Sequence, residues 1–582
     1  MIFPTTKKEM EALGWDYVDV VLFSGDAFVD HPSFGAAVVA RVLEAEGLRV
    51  AVVPQPGWRD DLRDFKKMGV PRLFFAISGG SMDSMVNHYT AARRLRSTDA
   101  YTPEGRAGAR PDRAVTVYSR ILKQLYPDVP LVIGGIEASQ RRFTHYDYWS
   151  DSLMPSILVD SQADLLIYGM GEKPLQSLAR QLLEGIPFEQ TQVRQTVRLT
   201  APQKVDILLH SHEECLKSKY KQAENFGKFE RETNRRHSDF RIGQAVGQRM
   251  VVSEPPFDLL TTEELDAIYE LPYTRRPHPR YKGKTIPAFE MIKHSVTLHR
   301  GCFGGCSYCT ISAHQGKFIA SRSKASVVRE VQRIAAEPDF KGYISDLGGP
   351  SANMYRIEGK DLDKCAKCPR PSCLHPAICP NLNTDFGPLL EVYRAVDALP
   401  GIKKSFVGSG IRYDLVVDDE YARELITKHV SGRLKVAPEH TEDTVLNLMR
   451  KPSFECFERF ARQFDRINRE AGLNQQLIPY FISSHPGCTI DDMASLAVKT
   501  KRMHFKLEQV QDFTPTPMTL STEMYYTGFH PLTLQRVYCA HKPEDKQLQR
   551  HFFFWYMPES KKQIVQTLKR LGKLQWLKRV YS

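Results

Sequence analysis

No run of roughly 18 apolar residues interrupts this 582-residue chain, so no membrane-spanning helix and no membrane partner are expected. The opening residues, Met1-Ile2-Phe3-Pro4-Thr5-Thr6-Lys7-Lys8, lack the apolar centre of a secretory signal, and cytoplasm is the expected compartment. Low-complexity segments and internal repeats are absent, which excludes a repeat array. Charge of one sign is not abundant either: 80 basic against 68 acidic residues leave a net charge of +12. That excess permits an RNA partner without arguing for one, since a solvated basic surface gives the same balance.

The 11 cysteines are not spread as a disulfide framework would be. Seven form two sets, Cys302/Cys306/Cys309 and Cys365/Cys368/Cys373/Cys379, and Cys215, Cys456, Cys488 and Cys539 stand apart. Clustered thiols in a chain without a secretory signal indicate metal chemistry in a reducing compartment. The length exceeds what one core can organise and predicts about two or three domains.

Residues 1–190 alternate short apolar runs with helical patterns. Val18 to Gly25, Arg49 to Gln55, Arg72 to Ser78, Val129 to Gly135 and Asp164 to Tyr168 read as buried parallel strands. Helices over Ser33 to Gly47 and Arg113 to Tyr126 complete a doubly wound α/β domain, a fold that binds ligands at the carboxyl ends of its strands. Residues 191–290 are polar and charge-dense and read as a connector, with a helix at Cys215 to Arg231 and a basic turn at Arg275 to Tyr281.

Alternation resumes over 291–540. Six βα units, beginning with the strand Ser295 to Arg300, predict a partial (β/α)6 barrel of the TIM type, whose chemistry sits at the carboxyl ends of its strands. A proline-rich, cysteine-rich insertion at 360–382 follows the second strand, and 541–582 form a short helical tail with the aromatic cluster Phe552 to Tyr556.

After the first barrel strand comes Arg300-Gly301-Cys302-Phe303-Gly304-Gly305-Cys306-Ser307-Tyr308-Cys309. Three thiolates at this spacing can each ligate one iron of a [4Fe-4S] cubane, leaving one iron open. The glycines let the loop wrap tightly and turn amides toward the cluster. Zinc sites normally use paired C-x2-C or Cys/His sets instead.

This run closely resembles the motif of the radical S-adenosylmethionine (SAM) superfamily. With Leu271-Pro272-Tyr273-Thr274-Arg275 and the second cysteine set, it is similar, across nearly the whole chain, to the YgiQ-type radical SAM family, with a methylthiotransferase-like core. The resemblance implies an enzyme that binds [4Fe-4S] through Cys302, Cys306 and Cys309 and cleaves SAM reductively to a 5'-deoxyadenosyl radical that abstracts hydrogen from a substrate. It implies SAM contacts from Tyr308 beside the adenine, from the backbone of Gly348 and Gly349, from Ser409 and Arg412 toward ribose and carboxylate, and from Glu439. Pro350 stands where the family of motifs usually has glutamate, which leaves only the backbone role there.

The first domain resembles the cobalamin-binding domain of some radical SAM enzymes through Gly134-Gly135 and Gly169-Met170-Gly171-Glu172. Asp30-His31-Pro32-Ser33-Phe34-Gly35 departs from the D-x-H-x-x-G cobalt-ligand pattern, so cobalamin is not expected, and a degenerate domain that shapes the active site is. Cys365, Cys368, Cys373 and Cys379 form a complete set for structural zinc or an auxiliary Fe-S cluster, with prolines lowering the entropy of gathering them. The expected partners are an electron donor such as flavodoxin or ferredoxin, and RNA or protein as substrate. Two other readings stand beside the favoured one: a methylthiotransferase-like RNA- or protein-modifying enzyme, and a non-catalytic Fe-S binding or regulatory protein.

Overall fold

The computed structural model describes residues 2–581 and divides into two compact units. One contains the residues through Lys221 together with Arg235–Lys293 and Ala313–Gln315; the other contains Gln222–Asn234, His294–Ser312 and the chain from Gly316 onward.

The first unit is built on β1 (Val20–Ser24), β2 (Val50–Pro54), β3 (Phe74–Ser78), β4 (Leu131–Gly134) and β5 (Leu165–Ile167). All pair in parallel, in the order β5-β4-β3-β1-β2. Every residue of β1, β2 and β3 is buried, as strands covered on both faces by helices must be. The helix α1 (Gly35–Ala45) packs through Ala36, Ala37, Ala40 and Leu43, and the three alanines let it lie close on the sheet. The strand order reverses beside β1, and there the chain ends of β1 and β3 are tied together by Arg110. Its guanidinium bonds Asp26 at 3.0 Å and the Gly79 carbonyl at 2.9 Å and faces Asp99 at 3.3 Å. Burial lifts the Asp26 carboxyl above its ordinary range, with Arg110 opposing.

The segment expected to be a polar connector is corrected by the structure. It extends the same sheet through β6 (Thr196–Thr200), β7 (Ile207–Leu208), β8 (Ile242–Val246) and β9 (Arg249–Ser253), giving the order β7-β8-β9-β6-β5-β4-β3-β1-β2 with β5, β6, β9 and β8 antiparallel to one another in turn. These strands read as polar because their buried polar groups are satisfied inside. Gln244 is buried, yet its oxygen accepts from the Thr144 amide at 2.9 Å and its amide donates to the His210 carbonyl at 3.0 Å. Residues 222–234, within the helix α2 (Lys219–Thr233) and just past it, belong to the second unit instead.

In that unit, β10 (Ser295–Thr297) pairs in parallel with β12 (Asp346–Gly348), and β11 (Tyr343–Ile344) pairs in parallel with β13 (Lys404–Ser405). Further along, β14 (Arg433–Glu439), β15 (Gln476–Ser483) and β16 (Gln509–Asp512) form a parallel sheet. The helices between successive strands bury one face each; α3 (Phe454–Glu470) does so through Phe457, Phe460, Phe464 and Ile467 at helical spacing. Three C-terminal helices, Pro543–His551, Pro558–Arg570 and Leu574–Tyr581, close the chain. Phe553 meets Phe481 of β15 with ring centroids 6.5 Å apart, and Gln549 accepts from the Ser484 amide and donates to the Cys488 carbonyl, both at 2.8 Å.

Candidate active site

The cysteine loop leaves the strand His299–Arg300 at Gly301, which has φ +88 and whose missing Cβ avoids the Phe318 carbonyl. Any side chain there would be both strained and in collision. The loop is pinned at its far end by backbone bonds: Ser307 donates to the Met449 carbonyl at 3.1 Å, and Ser521 donates to Ser307 at 2.9 Å. Three cysteines therefore converge at the end of the first strand of the core.

Burial, helped by the charges of Cys306 and Cys302, pushes the Cys309 thiol up to about 12, while amides of Ile311 and Ser312 favour its thiolate. Burial likewise raises Cys302, opposed by the Gly304 amide and by Arg412 and Lys451. Thiols held this way form thiolates when a cation takes the proton's place, which is what iron ligation supplies. The donor set fits a [4Fe-4S] cluster with three protein ligands.

Arg412 is buried, 7% exposed, directly against the loop. Its Nε and Nη2 donate to the two oxygens of Asp414 at 2.8 and 2.7 Å, and its Nη1 donates to Cys306 Sγ at 3.5 Å. Burial works against the guanidinium charge, but Asp414 and the sulfurs of Cys306 and Cys302 outweigh it and hold its pKa well above the usual value. Two of the donors expected to meet SAM are thus engaged by Asp414, and the third nitrogen faces Cys306 Sγ. Asn353 fixes the backbone of Arg412 through two bonds of 2.8 Å.

Tyr308 does not stand free for a ring partner alone: its hydroxyl donates to Glu439 Oε1 at 2.8 Å, and its ring lies edge-on to His485, with centroids 6.0 Å apart. Glu439 ends β14 with φ +68 and is buried, and burial raises its carboxyl above the ordinary range despite Lys451, Tyr308 and Arg412. His485 is fully buried and kept neutral, its pKa pushed down to about 3 by burial; Ser521 Oγ lies 2.7 Å from its Nε2 and 2.7 Å from Ser307 Oγ.

Gly348 and Ser409 are brought together by Asp346, a residue that motif reading missed. Its Oδ1 accepts from the amides of Gly408 and Ser409 at 2.8 and 3.1 Å and lies 3.2 Å from Ser409 Oγ, so the second and third strand ends are locked in register. Gly349 lies against the buried His299 ring, where a Cβ would come within 2.8 Å of Nδ1. The only available signal for Asp346 was its position two residues before Gly348 on a strand. Asp414, two residues after Arg412, could have been found by asking what neutralises a buried guanidinium.

The second set is half-exposed: Cys365, Cys368, Cys373 and Cys379 all lie in the insertion. The Cys368 amide donates to the Cys365 carbonyl at 3.2 Å and the Cys379 amide to the Cys373 carbonyl at 2.8 Å, and Asn381 Nδ2 donates to Cys365 Sγ at 3.3 Å. Burial raises the Cys373 thiol, Lys317 opposes, and Cys379, Cys365 and Cys368 add their charges to the rise.

Comparison with known proteins now bears on this site. The family model described as "Radical SAM N-terminal" matches residues 2–295, "Radical SAM superfamily" matches 296–497, and a domain of unknown function, DUF3362, matches 508–577. UPF0313 proteins of Bacteroides thetaiotaomicron and Porphyromonas gingivalis are 61% and 63% identical, covering 100% and 98% of this chain and 98% and 93% of theirs. The UPF0313 protein YgiQ of Escherichia coli K12 is 42% identical over 98% of this chain and 86% of its own length. The chain belongs to the UPF0313 (YgiQ) family. It is a radical SAM enzyme, and the [4Fe-4S] cluster and SAM come with that fold.

Among solved structures, the radical SAM methyltransferase TsrM of Kitasatospora setae, with cobalamin and [4Fe-4S] bound, is 17% identical, with a TM-score of 0.49 over 86% of this chain and 77% of that one. The cobalamin-dependent enzyme OxsB with aqua-cobalamin bound gives 10% identity and a TM-score of 0.47 over 88% and 55%. The expectation that cobalamin is not bound receives no support from these comparisons. Among the described residues, no helix is long and apolar enough to cross a membrane.

Proposed function

We propose that this enzyme cleaves SAM reductively at the Cys302/Cys306/Cys309 loop and uses the resulting radical to abstract hydrogen from an RNA or protein substrate in the cytoplasm, with electrons from a donor such as flavodoxin or ferredoxin. The observation that carries the reading is the convergence of three half-exposed cysteines on one strand end, with the Arg412 guanidinium 3.5 Å from Cys306 Sγ. When bound, the cluster and SAM supply one-electron cleavage of a carbon–sulfur bond.

The chain's own residues do the rest. Arg412, held and kept charged by Asp414, places a guanidinium beside the sulfurs and favours their anionic form. Gly348 and Gly349 present backbone beside Asp346, Ser409 and the His299 ring without side-chain bulk. Glu439, whose raised carboxyl is held by Tyr308, is the polar group available to a SAM amine or a substrate. The neutral His485 and its serine neighbours hold Ser307, and so the loop, in place.

Anaerobically reconstituted protein given SAM and dithionite is expected to yield 5'-deoxyadenosine, and the C302A/C306A/C309A variant is expected to yield none. Product formation by that variant would overturn the reading.

A further inference from the structure

The cysteine-rich insertion is seated on the loop that carries Cys302, Cys306 and Cys309. The Cys373 amide donates to the Phe303 carbonyl at 3.0 Å, and Ser372 Oγ donates to the Gly304 carbonyl at 2.7 Å. Gly305, at φ +59, has no Cβ because the Pro371 carbonyl occupies that space. Lys317, buried beneath the insertion, donates to the Arg370 carbonyl. Between Cys302 Sγ and Cys373 Sγ the covalent path is interrupted by one hydrogen bond only, the one from the Cys373 amide to the Phe303 carbonyl.

We propose that Cys365, Cys368, Cys373 and Cys379 hold a second iron–sulfur cluster and that it passes single electrons to the centre on the neighbouring loop. The inference rests on reading that loop as the SAM-cluster site. A structural zinc has bonds of ~2.3 Å and brings its four sulfurs to within about 3.8 Å of one another. Among the described residues, no three of these sulfurs lie within 4.8 Å of one another, and neither do the three of the Cys302 set. Four thiolates are a full set for a closed cluster. Asn381 Nδ2, 3.3 Å from Cys365 Sγ, is the kind of hydrogen bond that tunes a cluster's potential.

The direction of flow follows from the lysines around the insertion. Lys360, Lys364 and Lys367 stand in solvent around its four sulfurs, so a soluble, acidic, low-potential one-electron carrier can approach this side. The step is balanced as a transfer of one electron: the carrier, a reduced flavodoxin for instance, is oxidised by one electron, the second cluster is reduced and then reoxidised, and the first cluster ends one electron richer. No bond forms or breaks, and no proton is required.

The test uses the full chain reconstituted without oxygen. The wild type is expected to hold about eight irons and C302A/C306A/C309A about four, with no zinc. The reduced wild type is expected to show magnetic interaction between two clusters in its electron paramagnetic resonance spectrum, lost in that variant. In C365S/C368S/C373S/C379S, reduction of the remaining cluster by flavodoxin is expected to slow at least tenfold, while dithionite still reduces it. One zinc and no iron in the first variant, or an unchanged flavodoxin rate in the second, overturns the proposal. If the serine variant loses both centres, Asn381→Ala decides, because it keeps all seven cysteines. A lowered potential at the second cluster with a slower flavodoxin reaction is expected, and an unchanged rate despite the lowered potential overturns the relay. Failure of the wild type to cleave SAM with dithionite would instead refute the reading of the first loop and leave the iron counts of the second set standing.

Discussion

The Tyr308 hydroxyl donates 2.8 Å to Glu439 Oε1, joining the cysteine loop to the end of β14 across 131 positions of sequence. Glu439 is buried and Tyr308 partly so, and burial already raises the carboxyl. Tyr308→Phe removes the donor and leaves the acceptor inside. Stability measured by anaerobic denaturation should fall by about 1–3 kcal/mol, while iron content stays at the wild-type level because the hydroxyl touches no ligand.

Arg412→Ala leaves Asp414 as an uncompensated buried carboxylate and strips Cys306 of its guanidinium. Removing one partner of such a pair should cost roughly 3–5 kcal/mol. Less iron should be retained after reconstitution and gel filtration, and the double variant Arg412→Ala, Asp414→Asn should recover part of the stability. Full iron retention by the single variant would show that the pair contributes nothing to the loop.

Gly305→Ala places a Cβ where the Pro371 carbonyl lies, on backbone with φ +59. Strain of this kind costs on the order of 1–3 kcal/mol, and here it is concentrated where insertion and loop meet. Iron content at the Cys302 set should fall, and so should that of the proposed second cluster, as read by Mössbauer spectroscopy.

Glu523 is 1% exposed, and burial lifts its carboxyl from 4.5 to about 8, with Gln222 opposing through a 3.0 Å bond. Below 4.5 the group is protonated in both folded and unfolded chains. As pH rises toward about 8 the unfolded chain ionises first, so folding loses stability across this window and levels off above it. The loss should be on the order of 4 kcal/mol. Glu523→Gln should be little changed at pH 5 and more stable than wild type at pH 8.5 in denaturant titrations.

The cysteine loop and the parallel strands were legible because both are local signals: thiol spacing and unbroken apolar runs such as Val20–Ser24. The sheet extension at 196–253 was not, because Gln244 and Arg198 look like surface residues until their internal partners are known. The surroundings of Arg412 were not legible for a related reason. Its charge was noticed, but Asp414 beside it and Asn353, 59 positions away, had already claimed its fork and its backbone. Long-range pairing of polar groups leaves no periodic trace in sequence.

Residues 222–234 show what that means for cutting the chain. Glu230 bonds Arg450 through both oxygens at 2.7 and 2.8 Å, Arg450 Nη1 lies 3.5 Å from the Gly305 carbonyl, and Gln222 is the donor to Glu523. The family model for the catalytic core begins at residue 296. A fragment begun there would carry every cysteine of both sets, yet it would strand a buried cation beside the loop and an unaccompanied acid nearby. The core's physical boundary therefore encloses a helix encoded some 60 residues upstream of its apparent start, and a gene fusion or truncation that respects only the apparent start would inherit the ligands without the helix that balances Arg450 beside them.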